Sequence, residues 1–386
     1  MTLLPPQIIL LQPPRIVFGN GAARTCGADV VARGLKRVAV LATARASQHL
    51  AGLREEFAHA KTEIIPITNL PPEPTVADFE RIRSEVGAVK LDGVIGCGGG
   101  SVLDVAKLLA VLAGRKDPVS AFFGTGLLPA RKIHLACIPT TSGSGSEVSP
   151  NAILLDEAAR LKKGVIGPQL VPDAAYIDPL LLVTAPAALT AATGLDALVH
   201  CIEAYANLHS HPLVDAYALE GIRLIAANLP VAVANPGDLG ARAALAQGSL
   251  YGGLCLGPVN TAAVHALAYP LGSVFHVAHG LANALLLPHV LRFNLPAAPA
   301  RYADIARALG ASDSSGSDEA LAEAGLRRIE DLMQQCRLPR GLRACGVTEQ
   351  DIPALVSGAL QVTRLLRNNV REVTGPDAEA IFRSAL

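Results

Sequence analysis

The sequence predicts an α/β amino-terminal domain, doubly wound around a parallel sheet, followed by an all-α carboxy-terminal domain. Three observations carry that prediction. At 386 residues the chain exceeds one ordinary hydrophobic core, so two domains are the default. The first half alternates short apolar, β-branched runs with stretches of helical spacing, which is the βαβ pattern. From about Thr184 onward, strand-like runs give way to alanine- and leucine-rich segments. The expected domains are therefore 1–183 and 184–386.

Taken in order, RVAVLAT (37–43), DGVIGCGG (92–99) and KIHLACIPTT (132–141) read as buried parallel strands that end in Gly, Ser or Thr. Residues near 45–59 and 76–88 have the spacing of the intervening helices. The composition changes near DPLLLVTAP, residues 178–186. Helical segments then follow at 187–207, 213–234, 240–256, 261–269, 280–291, 299–309 and 317–335. Breakers such as NLP, NPGD and LGPVN separate them. There is no internal repeat and no low-complexity linker.

Composition excludes several functions. Hydrophobic residues make up 51% of the chain and charged residues 17%, with 33 basic and 33 acidic side chains. No basic excess points to nucleic acid or an anionic membrane surface. Seven cysteines, scattered and without a CxxC pair, read as reduced thiols. The start MTLLPPQIILLQPPRIVFG lacks a basic leader and is cut by proline pairs, so it makes a poor signal peptide. The apolar stretch 103–112 carries Asp104 and Lys107 and is too short to span a bilayer. The cytoplasm is the simplest location.

Two glycine-rich segments stand at predicted strand ends. GCGGGSVLDVAK (96–107) runs from a strand through glycines into a helix, where free amides and the dipole's positive end favour a phosphate. It matches neither the P-loop nor the GxGxxG spacing. It reads equally as a tight turn with Ser101 as N-cap. PTTSGSGSEVSPN (139–151) can present hydroxyls and amides to phosphate or ribose, or serve as a solvated linker. Two such loops at neighbouring strand ends favour a dinucleotide. The first strand ends Ala42-Thr43-Ala44-Arg45, with no acid for a ribose. Arg45 is suited to a 2′-phosphate, which slightly favours NADP over NAD.

The second half concentrates metal-ligand types. In GLDALVHCIEAY (194–205), Asp196 and His200 lie four apart, on one helix face. VHALAYPLGSVFHVAHG adds His265, Tyr269, His276 and His279. A carboxylate and up to three imidazoles suit Fe²⁺ or Zn²⁺. Each pair alone reads as well as a local hydrogen bond or a helix cap. Three clusters downstream of a nucleotide-type domain make the metal site the better reading.

These segments together resemble the iron-containing alcohol dehydrogenase family. GGGSVLDVAK, TTSGSGSE, GLDALVHCIEAY and HALAYPLG…HG carry the resemblance, with PPRIVFGNGA, VPDAAYIDPLLL and ANALLLPHVLRFN in support. It runs in order from about Arg15 to Asn294. It implies a dinucleotide-binding domain facing a helical domain, as in the dehydroquinate synthase architecture, with the metal in the cleft. By resemblance the ligands are Asp196, His200, His265 and His279. Gly98, Gly99, Gly100 and Ser101 cradle the pyrophosphate, Thr140 and Thr141 line the cofactor, and Lys162 reaches it, with Lys163 as competitor. The implied activity is NAD(P)-linked oxidation of an alcohol or reduction of an aldehyde or ketone. In it a hydride passes between nicotinamide C4 and a metal-bound substrate. A homodimer or higher homo-oligomer, joined through IILLQPP (8–14), is implied as well.

Three positions depart from the family pattern. Tyr269 stands where many members have a proton-relaying histidine, Ala44 where many have Asp, and Glu73 where many have Asn. His276, three residues before His279, is expected to replace Tyr269 as relay if that segment is helical. The alternative is a maleylacetate reductase, which acts on an unsaturated oxoacid without an obligatory metal. Asp104 and Asp196, replaced in that group, favour the metal-dependent reading.

Overall fold

The computed structural model describes residues 7–87, 89–159, 161–314 and 316–386. The chain forms two compact units. One comprises Leu11–Thr141 with Gly145–Thr184. The other comprises Ala185–Leu386 with Ser142–Ser144 and the segment ending at Leu10.

The first unit is built on six parallel strands. They are β1 (Arg15–Phe18), β2 (Arg37–Ala42), β3 (Glu63–Ile67), β4 (Gly93–Gly98), β6 (His134–Pro139) and β9 (Ala174–Ile177). Their order is β1-β9-β6-β4-β2-β3. A smaller sheet, β5-β8-β7, combines β5 (Gly124–Thr125) with an antiparallel hairpin of β7 (Asn151–Asp156) and β8 (Leu161–Ile166). Alternation along β2 divides its side chains between two cores. Ala39 and Leu41 pack with α3 (Val76–Val86) and α4 (Gly100–Leu112); Val38, Val40 and Ala42 pack with α1 (Ala22–Ala32) and α2 (Ala51–His59). Burial on both faces explains why β2, β4 and β6 read as continuous apolar runs.

Three of these strands lacked such a run. β1 and β3 are the sheet's edges, and β3 carries Pro66, which an edge strand tolerates. β9 is only four residues long. The chain crosses back over β2 between β3 and β4, so the strand order reverses between β2 and β4. Ligands of open α/β sheets bind at the carboxyl end of such a reversal.

The second unit is helical. After the four-residue α5 (Pro179–Leu182) that closes the first unit, it contains α6 (Ala187–Tyr205), α7 (Pro212–Ala234), α8 (Leu239–Leu256), α9 (Ala263–Phe275) and α10 (His279–Asn294). Beyond these lie α11 (Pro299–Ala308), α12 (Asp318–Gln335), α13 (Ile352–Leu360), α14 (Thr363–Leu366) and α15 (Gly375–Ala385). One continuous apolar core joins them.

One expectation needs correction. The helix expected to stop at residue 269 continues through Pro270 to Phe275. Packing outweighs the missing amide: a Cβ on Gly358 of α13 would stand 3.1 Å from the Pro270 ring, so the two helices touch there. Residues 8–14 carry no regular secondary structure, β1 is a sheet edge, and Ile8 packs on the helical core. Among the described residues, α7 alone is long and apolar enough to cross a membrane, and its inner face belongs to the core.

Candidate metal centre and nucleotide turn

α6 presents Asp196, His200 and Glu203 at spacings of four and three, hence on one face, and all three are buried. α9 brings His265 and Tyr269 to that face, both buried. His279 is the first residue of α10 and is half-buried. The next residue, Gly280, explains how α10 starts so close. A Cβ there would run into the Ala192 carbonyl of α6 and stand 3.3 Å from Asp196 Cβ.

Asp196 Oδ1 lies 3.6 Å from His265 Nε2 and 3.8 Å from His279 Nε2. Donor atoms of the three residues all fall within 4.8 Å of one another. Ligands about 2.1 Å from a tetrahedral ion stand roughly 3.4 Å apart, so the spacing fits an ion better than hydrogen bonds. His265 Nδ1 is bound to Glu203 Oε2 at 2.6 Å, while its Nε2 is buried with no hydrogen-bond partner. A buried imidazole nitrogen aimed at a carboxylate beyond hydrogen-bond reach is costly unless something bridges them. The donor set therefore fits a divalent ion. His200 stacks on His265 with ring centroids 4.7 Å apart, and its Nδ1 is 3.2 Å from the Gly143 carbonyl oxygen.

The electrostatics agree. Burial alone would raise Asp196, but His200, His279 and His265 outweigh it and hold the carboxyl well below the usual range. Burial lowers His200. Burial also acts to lower His265, yet the Glu203 and Asp196 carboxylates prevail and push it up to about 9.

His276 does not share a helix with His279. It is the C-cap of α9, left-handed at φ 54 and exposed, and residues 276–278 are not helical. His276 therefore shares no helix face with His279, because the chain turns out of the helix at that residue. Tyr269 is buried, its ring centroid 6.0 Å from that of His279. Two residues of the site were missed in the sequence. Glu203 continues the Asp196–His200 face by one more turn. Asn283, four after His279, donates to Asp196 Oδ1 at 2.7 Å. Both spacings were visible; neither residue type stood out as a ligand.

In the α/β unit, β4 ends at Gly98 and α4 starts after an extended Gly99, with no side-chain cap. Ser101 is thus not the N-cap; its hydroxyl donates to the Pro72 carbonyl. The uncapped amides and the helix dipole suit a phosphate. Thr140 donates its amide to Gly98 at 3.0 Å, and Thr141 lies alongside Gly99. A buried network ties this helix to the polar loop. Lys107 Nζ donates to Ser146, Ser149 and the Asn151 carbonyl, and Asp104 accepts from Ser146 and the Ile153 amide. Burial pushes Asp104 up and Lys107 down. Lys162 pairs with Glu73 at 3.0 Å, and Lys163, next along the strand, points to the other face of β8. Arg45 is exposed, and its Nη1 donates to the Thr184 carbonyl at 3.1 Å.

An uncapped glycine turn in one unit suits a nucleotide phosphate, and a buried carboxylate–imidazole cluster in the other suits a divalent ion. Residues 13–179 match the model of the iron-containing alcohol dehydrogenases, and residues 190–386 match that of the Fe-containing alcohol dehydrogenase family, C-terminal. The chain is 37% identical to long-chain-alcohol dehydrogenase 1 of Geobacillus thermodenitrificans, covering 97% of this chain and 95% of that one. It is 32% identical to the NAD-dependent methanol dehydrogenase of Bacillus methanolicus, covering 97% and 98%. The crystal structure of a 1,3-propanediol oxidoreductase superposes with a TM-score of 0.94 at 32% identity, covering 99% and 100%. The chain belongs to the iron-containing alcohol dehydrogenase family. It is a metal-dependent, NAD(P)-linked oxidoreductase acting on alcohols or aldehydes. The site offers nothing specific to a maleylacetate reductase.

Proposed function

We propose that the protein interconverts a primary alcohol and its aldehyde, with Asp196, His200, His265 and His279 holding Fe²⁺ or Zn²⁺. The observation that carries this reading is the buried His265 Nε2, without a hydrogen-bond partner and facing Asp196. The substrate class follows from the relatives named above, whose names specify methanol, 1,3-propanediol and long-chain alcohols. Fe²⁺ and Zn²⁺ accept the same ligands.

A divalent ion held by Asp196, His200, His265 and His279 would supply Lewis acidity to a substrate oxygen, and a bound nicotinamide would supply or accept a hydride. The chain's own residues do the rest. Asp196 supplies charge and is steadied by the Asn283 amide. His265 offers Nε2 because Glu203 occupies Nδ1. Tyr269 sets a buried hydroxyl-bearing ring beside His279, in a position to hold or pass the substrate's proton. Gly98, Gly99, Gly100 and Ser101 are proposed to receive the pyrophosphate at the α4 N-terminus, Thr140 and Thr141 to line the cofactor, and Lys162 to reach it. A cytoplasmic location and a homodimer complete the reading.

The test is metal analysis with activity. Purified protein should hold one divalent ion per chain, and His265→Ala should lose both metal and turnover. Full activity in a verified metal-free sample would overturn the proposal.

A further inference from the structure

Glu203 is a buried carboxylate that belongs to no expected ligand set, yet both of its oxygens face the metal-ligand helix. Oε2 accepts from His265 Nδ1–H at 2.6 Å, and Oε1 accepts from the Val264 amide at 2.5 Å. Val264 is in the first turn of α9, where four amides have no partner within the helix. The N-cap of α9 is Ala262, which makes no side-chain cap. Glu203 therefore supplies from α6 the cap that α9 lacks, and it sets a negative charge at the positive end of that helix.

The same side chain selects the ligand atom. With Nδ1–H committed to Oε2, Nε2 is the nitrogen left to meet an ion, and it faces Asp196. Only one tautomer and one ring orientation satisfy both contacts. Nor is Glu203 free to drift. Just past the end of α6, Asn207 Nδ2 lies 3.2 Å from the Glu203 carbonyl, 3.4 Å from that of Val259 and 3.3 Å from that of Asn260. The loop leading into α9 is thus pinned to the same helix that carries Glu203. Both residues are buried.

We propose that Glu203 is a positioning residue of the metal centre: one carboxylate fixes the start of α9 and the ring of His265 together, so that Nε2 is aimed before the ion arrives. This rests on the assignment of His265 as a ligand. Outer carboxylates of this kind typically change metal affinity about 10- to 100-fold when removed.

Glu203→Gln is the discriminating variant. It keeps the volume and an acceptor for the Val264 amide, but it replaces the carboxylate that holds the imidazole. Metal-free wild type, Glu203→Gln and His265→Ala would be titrated with Zn²⁺ against a chromogenic chelator, and the Co²⁺-loaded proteins compared by their visible ligand-field bands. Glu203→Gln should bind Zn²⁺ about 10- to 100-fold more weakly and shift the Co²⁺ bands. A purely structural role would lower the yield of folded protein and leave the bands of the bound ion unchanged. If Glu203→Gln does not fold, Glu203→Asp keeps the charge one methylene further back and should show the same changes to a smaller degree. A folded variant with wild-type Zn²⁺ affinity and wild-type Co²⁺ bands overturns the proposal. If His265→Ala binds metal as well as wild type, the ligand assignment fails instead.

Discussion

Gly280→Ala tests how tightly the start of α10 is held against α6. By helix propensity alone the change should stabilise the protein by about 1 kcal/mol. Sterics oppose it: the added Cβ would stand 2.8 Å from the Ala192 carbonyl carbon and nearer still to its oxygen. Carbon atoms pack at about 3.5–4.0 Å, so the first turn of α10 must retreat by roughly 1 Å. Because His279 precedes Gly280, that retreat draws its Nε2 away from Asp196 Oδ1, now 3.8 Å distant. Overpacking of this kind costs about 1–3 kcal/mol, which at least cancels the propensity gain. Returning His279 to the ion would pay that cost, which at about 1.4 kcal/mol per tenfold amounts to roughly 5- to 150-fold in metal affinity. The assay is Zn²⁺ competition titration of the metal-free variant, with melting temperatures recorded with and without the ion. A Gly280→Ala protein that binds Zn²⁺ like wild type, or melts higher when loaded, refutes the reasoning.

Metal affinity should also depend on pH. Burial works against a charged His265, but Glu203 and Asp196 outweigh it and push its pKa up to about 9, so below that pH the ion must displace a proton. Apparent Zn²⁺ affinity should therefore fall about tenfold per unit as pH drops from roughly 8.5 to 6.5; a flat profile over that window would contradict the assignment. Cofactor choice gives a second test. Because Arg45 is committed to the Thr184 carbonyl, Arg45→Ala should change the NADPH to NADH ratio of kcat/KM by less than about twofold, and a tenfold drop would restore Arg45 as a 2′-phosphate ligand.

The parts of the fold that were legible are those where a local pattern and a global role coincide. β2, β4 and β6 are buried on both faces, so their apolar runs are continuous, and the switch to helices after Thr184 is compositional. Edge strands β1 and β3 answer to pairing more than to side-chain pattern, and their sequences are short or broken by Pro66. α13 to α15 lie beyond the segments in which the sequence showed helical spacing, although the last begins with a capping box at Thr374 and Asp377. At the site, Asp196, His200, His265 and His279 were marked by residue type and family pattern. The geometry brings Asp196, His265 and His279 within one cluster and stacks His200 on it. The spacing of His276 from His279 carries no geometric meaning, because a spacing of three aligns side chains only on a continuous helix and the backbone leaves the helix at that residue.

The site's charge also explains why a divalent cation suits it. Asp196 and Glu203 place two carboxylates in a buried region, and burial leaves the stacked His200 disposed to be neutral. Two buried carboxylates carry a charge that a low-dielectric medium penalises, and a divalent ion offsets it. At position 283, where a further carboxylate could stand, the chain instead offers the uncharged Asn283 amide, which donates to Asp196. The donors, one oxygen and several imidazole nitrogens, suit a borderline transition metal.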